Sequence, residues 1–260
     1  MGLLLCTPRA EQPFYYEKLD RKLWSIQELC YILYRYPVVI PEDFVDAKLC
    51  QWLSQIGLQR LSERLLQFLQ MGEEQDRLIL RILREGNYYT EREIQDFGLS
   101  LRRLREIEHG ARQEMLGDTY FRMGRYGRAV EAYRSAVSER RGGRVREKLA
   151  DSLVTVMQLR RAAGLYEDVY RESGETEALR KLYFLEKLEP ALKVFAPYRE
   201  RVTAELLSDW EKCYEEALQS AGHSEPAEEI RRSYARGEAA FRADAAGTLR
   251  EWKRAYREKV

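Results

Sequence analysis

Small and aromatic residues between Gly110 and Gly143 fall at fixed offsets, and weaker counterparts return about 33 residues later. In the first copy Gly117 and Ala129 are small, Tyr120, Tyr126 and Tyr133 are aromatic, Gly124 lacks a Cβ, and Ala136 follows. In the second, Ala150 stands for Gly117, Leu153 for Tyr120, Leu159 for Tyr126, Ala162 for Ala129, Tyr166 for Tyr133 and Val169 for Ala136. Two helices approach closely only where side chains are small, and larger ones then fill the space around the crossing. Gly124 permits a tight turn between them. The pattern predicts two helix-turn-helix units, separated by the loop Arg140-Arg141-Gly142-Gly143-Arg144. Each unit leaves an apolar face open, and a stack needs about three of them. Helices around residues 94–108 and 176–188 are expected to cover the open ends.

Residues 110–143 resemble a tetratricopeptide repeat, through Leu116-Gly117, Tyr120, Gly124, Tyr126, Ala129, Tyr133 and Ala136. Gln113 stands where the family has its first aromatic, and Arg141 where it has its terminal proline. The resemblance implies a short right-handed solenoid of antiparallel helical hairpins, flanked by N- and C-terminal helical segments. It also implies that the first helix of each unit lines a concave groove for a peptide or helix. Carried over by position, that groove presents Glu114, Asp118, Phe121 and Arg122 from the first copy, and Glu147, Asp151, Val154 and Thr155 from the second. The family's peptide clamp grips a terminal carboxylate with Lys, Arg and Asn. Acids stand here instead, so the expected partner is a basic or mixed-charge protein segment. Any one of these residues is equally readable as part of a solvated helix face.

The rest of the chain is also helical in pattern. Leu, Ala, Glu, Arg and Gln dominate, and these unbranched side chains lose little freedom in a helix. Capping boxes at Ser25–Glu28 and Thr90–Glu93 open two helices. A helix is expected from Pro41 through Phe44, Leu49 and Trp52 to Gly57, followed by two more that end near Gly72 and Gly86. Val38-Val39-Ile40 reads as a buried connector, because no partner strand is visible. The reading gives a loose segment at 1–13, an all-α N-terminal domain at 14–108, repeats at 109–176 and C-terminal helices at 177–260. The last of these reads as a docked or a partner-binding helix. Through YYEKLD, SIQELCY and EREI, the first 108 residues resemble uncharacterised helical proteins of Firmicutes, a likeness that implies no activity.

Several function classes lose support. The 44 basic and 43 acidic residues nearly cancel, which argues against a dedicated nucleic-acid or membrane-surface binder. RNA binding stays as the rival reading, through Arg102, Arg103, Arg105, Arg140, Arg141, Arg144 and Arg146. Cys6, Cys30, Cys50 and Cys213 form no CxxC pair and predict free thiols in a reducing, cytoplasmic setting. Leu3-Leu4-Leu5-Cys6 is too short an apolar run for an export signal, and no later run matches a membrane span. Glu106 and His109 share a Glu-x-x-His spacing, which on one helix would place both on one face. A di-iron bundle needs a second such pair, and none exists. With no nucleophile–histidine pairing and no phosphate-binding glycine loop, no catalysis, metal or cofactor is expected.

Overall fold

The computed structural model describes residues 9–140 and 142–259. Its two compact units meet in sequence at Arg112 and Gln113. Among the described residues the protein is all-α apart from one hairpin, and no helix there is long and apolar enough to cross a membrane.

The first unit opens with that hairpin, β1 (Phe14–Tyr16) and β2 (Arg21–Leu23), paired antiparallel with Phe14 opposite Leu23. It corrects the expectation of helices alone from residue 14. Each strand spans only three residues, too short for an alternating pattern to stand out, yet Tyr16 and Leu23 point inward while Tyr15 and Lys22 stay exposed. Asp20 turns the chain in the left-handed region at φ 48°, and its carboxylate accepts from Tyr15 Oη at 2.6 Å. Tyr16 Oη donates to the carbonyl of buried Val39 at 3.0 Å, which ties the hairpin to the 3-10 turn Pro37–Val39.

Five helices follow: α1 (Ile26–Arg35), α2 (Ala47–Gln55), α3 (Gln59–Gln70), α4 (Gln75–Glu85) and α5 (Glu91–Glu106). Ser25 and Thr90 cap α1 and α5 as the sequence predicts. The Glu28 carboxylate accepts the Trp24 N–H, one residue ahead of the cap, whereas Glu93 closes the full reciprocal box with Thr90. Asp46 caps α2, so Phe44 lies in the connector ahead of the helix rather than inside it. The core holds Leu29 and Leu33, Leu49 and Leu53, Leu65, Ile79 and Ile82, and Ile94 and Leu101, one contribution from each helix. Cys30 is buried among them with Gly86 pressed against it; a Cβ on Gly86 would lie 2.3 Å from the sulfur. Burial pushes the Cys30 thiol up to about 12 and the Cys50 thiol to about 11. Both are free, as is the exposed Cys213; Cys6 lies outside the described residues.

The second unit is built from α6 (His109–Arg122), whose first turn precedes the boundary, α7 (Tyr126–Glu139), α8 (Gly143–Thr155), α9 (Leu159–Ser173) and α10 (Thr176–Leu188). Two 3-10 turns (Pro190–Leu192 and Ala196–Arg201) lead on to α11 (Ala204–Gly222), α12 (Glu225–Ala235) and α13 (Glu238–Lys259). The small-residue crossings are present. A Cβ on Gly117 would sit 2.5 Å from the Tyr133 ring, and Ala150 is fully buried where α8 packs on α9. Tyr183 occupies the next equivalent place, 33 residues after Ala150. A tyrosine there forbids a close crossing, and the space is filled by rings instead. Phe195 lies edge-on to Tyr183 at 5.3 Å, and Trp210 of α11 is at 5.8 Å. The repeat pattern loosens at this point because its small residue has gone.

The turns of the two copies also match. Gly124 has φ +72°, and Met157, 33 residues on, has φ +58° with its side chain in solvent. A side chain in this region costs roughly 1–2 kcal/mol, part of which glycine gives back as unfolded-chain entropy. Met157→Gly should therefore raise stability by about 0.5–1 kcal/mol in urea denaturation. An unchanged or lower midpoint would show that the turn carries no strain.

Candidate functional site

The predicted groove residues lie on α6 and α8, and four of them belong to a repeated ionic network. Glu114 and Asp118 stand one turn apart on α6. Lys148 of α8 reaches both, with Nζ 2.8 Å from Glu114 Oε1 and 2.8 Å from Asp118 Oδ2. One repeat later, Glu147 and Asp151 of α8 receive Lys181 of α10 at 2.8 and 2.7 Å. A tyrosine from the second helix of each pair completes the set. Tyr133 Oη donates to Asp118 at 2.7 Å, and Tyr166 Oη donates to Asp151 at 2.6 Å. Arg140 adds a further bond to Glu114 at 2.7 Å.

Each network thus ties the first helix of one pair to its own second helix and to the first helix of the next pair. Shelter is uneven across the groups: the side chains of Glu114 and both lysines are 16% and 22% exposed, whereas Glu147 is 33% and both aspartates 39% exposed. Burial alone would lower the lysine pKa values. Hydrogen bonds to the paired carboxylates outweigh it, so both are raised above 10.5. Burial and the aspartate beside each ring also raise Tyr133, and they raise Tyr166 in the same way.

The other four predicted residues lie outside this network. Phe121 is half-buried, its ring edge-on to Tyr126 at 5.2 Å. Arg122 is exposed, with Nε 3.3 Å from the Asp118 carbonyl of its own helix. Val154 is half-buried, and exposed Thr155 donates to the Ser152 carbonyl at 2.7 Å. Sequence reasoning missed Lys148 and Lys181. The signal was available, since Glu114, Asp118, Tyr133 and Lys148 each recur with the same residue type 33 positions later.

Among the rival arginines, Arg105 pairs with Asp76 at 3.2 Å, Arg140 with Glu114, and Arg146 with Glu172. Arg102, Arg103 and Arg144 are exposed, and Arg141 lies outside the described residues. The Glu-x-x-His reading is corrected: α5 ends at Glu106 and α6 begins at His109, so the two do not share a helix face. No group of three or more metal-ligating side chains occurs among the described residues. The C-terminal helix α13 returns to the turns of both copies. Arg125 Nη1 donates to the Glu258 carbonyl at 2.9 Å, and Tyr256 Oη is 3.4 Å from the Val156 carbonyl.

Lys148→Met leaves Glu114 with Arg140 alone and Asp118 with Tyr133 alone, and should destabilise the second unit by about 1 kcal/mol. Adding Asp118→Asn should recover part of that loss. Strictly additive effects in the double-mutant cycle would show that no coupling exists. The raised lysines and tyrosines stabilise fully below their unfolded values, 10.5 and 10.0, and lose that contribution as pH climbs through the higher folded ones. Thermal stability should therefore fall above about pH 10, and fall less steeply in a Lys148→Met, Lys181→Met double variant.

Compared with protein-family models, curated proteins and solved structures, the chain matches none of them.

Proposed function

We propose that this chain is a non-catalytic scaffold or adaptor, which holds a peptide or helical segment of another protein in a tetratricopeptide-like groove along α6 and α8. The supporting observation is the duplicated Glu-Asp-Lys-Tyr network. It fixes the register of successive first helices, and a face held in one geometry binds with less ordering cost. In this reading Glu114, Asp118, Glu147 and Asp151 form the floor, while Phe121, Arg122, Val154 and Thr155 make the outer contacts.

The network also refines the partner's chemistry. Four carboxylates share Lys148, Lys181 and Arg140, so the floor is only weakly acidic. That favours a mixed-charge segment over a strongly basic one. RNA binding through the arginine clusters has less support, because Arg105, Arg140 and Arg146 are engaged by carboxylates.

Charge reversal at Glu114 or Asp118 would disturb the helix register as well as binding, so the sharper variants are Phe121→Ala and Thr155→Arg. Neither side chain belongs to the network. In crosslinked pull-downs from the native host, read by mass spectrometry and nucleic-acid absorbance, each variant should deplete a reproducible protein partner roughly tenfold, a loss of about 1.4 kcal/mol. A partner retained by both variants would place binding elsewhere. Nucleic acid co-purifying without any protein partner would move the arginines to the front.

A further inference from the structure

Three aromatic rings stand around one open recess in the first unit. The recess holds about 350 Å³ between β2 and α1 and is lined by Leu23, Trp24, Tyr31, Ile32 and Tyr88. Trp24, Tyr31 and Tyr88 are 36%, 46% and 37% exposed. A single exposed ring is ordinary on a protein surface, whereas three around one apolar recess mark a contact surface.

Two of these residues are held from behind. Tyr88 lies edge-on to Tyr89 at 4.8 Å, Tyr89 stacks on Tyr34 at 4.0 Å, and Tyr34 stacks on buried Phe97 at 5.3 Å. The backbone of Trp24 is fixed at both polar groups, its N–H by the Glu28 carboxylate and its carbonyl by the Ala10 N–H at 2.8 Å. Groups so placed lose little freedom when a partner arrives.

The same bonds narrow the class of partner. β2 borders the recess, but both backbone groups of Trp24 are engaged, so an incoming strand finds no open ladder there. The walls are also short. Gln27 to Ile32 spans about 7.5 Å of helix, and Arg21 to Trp24 about 10 Å of extended chain. An amphipathic helix needs a longer trough, with anchors spread from i to i+7. One turn of polyproline helix, three residues rising about 9 Å, matches the length and requires no backbone hydrogen bonds. Charge supplies the remaining constraint. Arg21 and Lys22 flank the recess, both exposed and without a carboxylate partner among the described residues. Glu28, the acidic residue of the lining, is already turned to Trp24.

We propose that this recess takes one turn of a proline-rich segment of another protein, its prolines against the three rings and a neighbouring acidic residue on Arg21 and Lys22. The site lies wholly in the first unit and does not depend on the groove of α6 and α8.

An array of proline-containing decapeptides, bearing glutamate or lysine at varied positions, tests the proposal against the full chain, with binders titrated by fluorescence anisotropy. Glutamate peptides should bind at least roughly tenfold more tightly than their lysine counterparts. Tyr31→Ala and Tyr88→Ala should each weaken binding roughly tenfold with unchanged helical circular dichroism, while a Leu99→Ala control on α5 leaves it intact. Arg21→Glu combined with Lys22→Glu should turn the preference toward lysine peptides. An array with no binder, binding unmoved by both tyrosine variants, or a lysine preference in the unaltered chain would overturn the proposal. So would a single-stranded oligonucleotide that binds more tightly and is lost in the same variants, which would make the rings a base-stacking platform. A dimer in sedimentation that Tyr31→Ala dissociates would overturn it too, in favour of a second copy of the chain.

Discussion

The second unit depends on two lysines. Lys148 and Lys181 each leave their own helix to lie between two carboxylates of the preceding first helix, and without them Glu114 faces Asp118, and Glu147 faces Asp151, as like charges one turn apart. Lysine suits the task because its ammonium is a compact charge with three rotatable donors, able to serve two acceptors on successive helical turns. Removing a lysine leaves two like charges on adjacent turns, which favour moving apart. The network therefore selects the helix arrangement more strongly than it stabilises it. A one-turn slip of α8 along α6 would separate Lys148 from Glu114 and Asp118.

The same logic explains where the repetition ends. The places of Glu147 and Asp151 pass, 33 residues on, to Arg180 and Phe184, and the small crossing residue becomes Tyr183. No carboxylate pair awaits another lysine there. A different bond takes over: Glu211 of α11 accepts from Tyr183 and from Lys187. An array that ends with a changed side-chain set, rather than a truncated copy of the old one, leaves no template for further units.

Much of the fold was legible in the residues. The capping boxes, the glycine stops and the small-residue crossings each act over a few positions, so local sequence is enough to find them. The hairpin was not legible because three-residue strands carry almost no periodic signal, and Tyr16 gains its partners from Phe44 and the Val39 carbonyl, far along the chain. The residues proposed to line a groove follow from offset alone, whereas their ionic partners do not. A carboxylate on a helix looks the same in sequence whether it faces water or a lysine 34 residues away, as Glu114 and Lys148 do. The break at Ile107 had the opposite character: Glu106 and His109 have helical spacing, and only the backbone shows that the helix has stopped between them.

Cys30 carries a consequence of a different kind. Its thiol lies against Gly86, bonds weakly to the Ile82 carbonyl at 3.7 Å, and is pushed up to about 12 by its surroundings. At neutral pH almost none of it is thiolate, and thiolate is the form that reacts with electrophiles and oxidants. Chemistry at Cys30 can begin only once α1 and α4 separate, so its rate of modification follows the opening of the first unit, and exposed Cys213 supplies an internal reference within the same molecule.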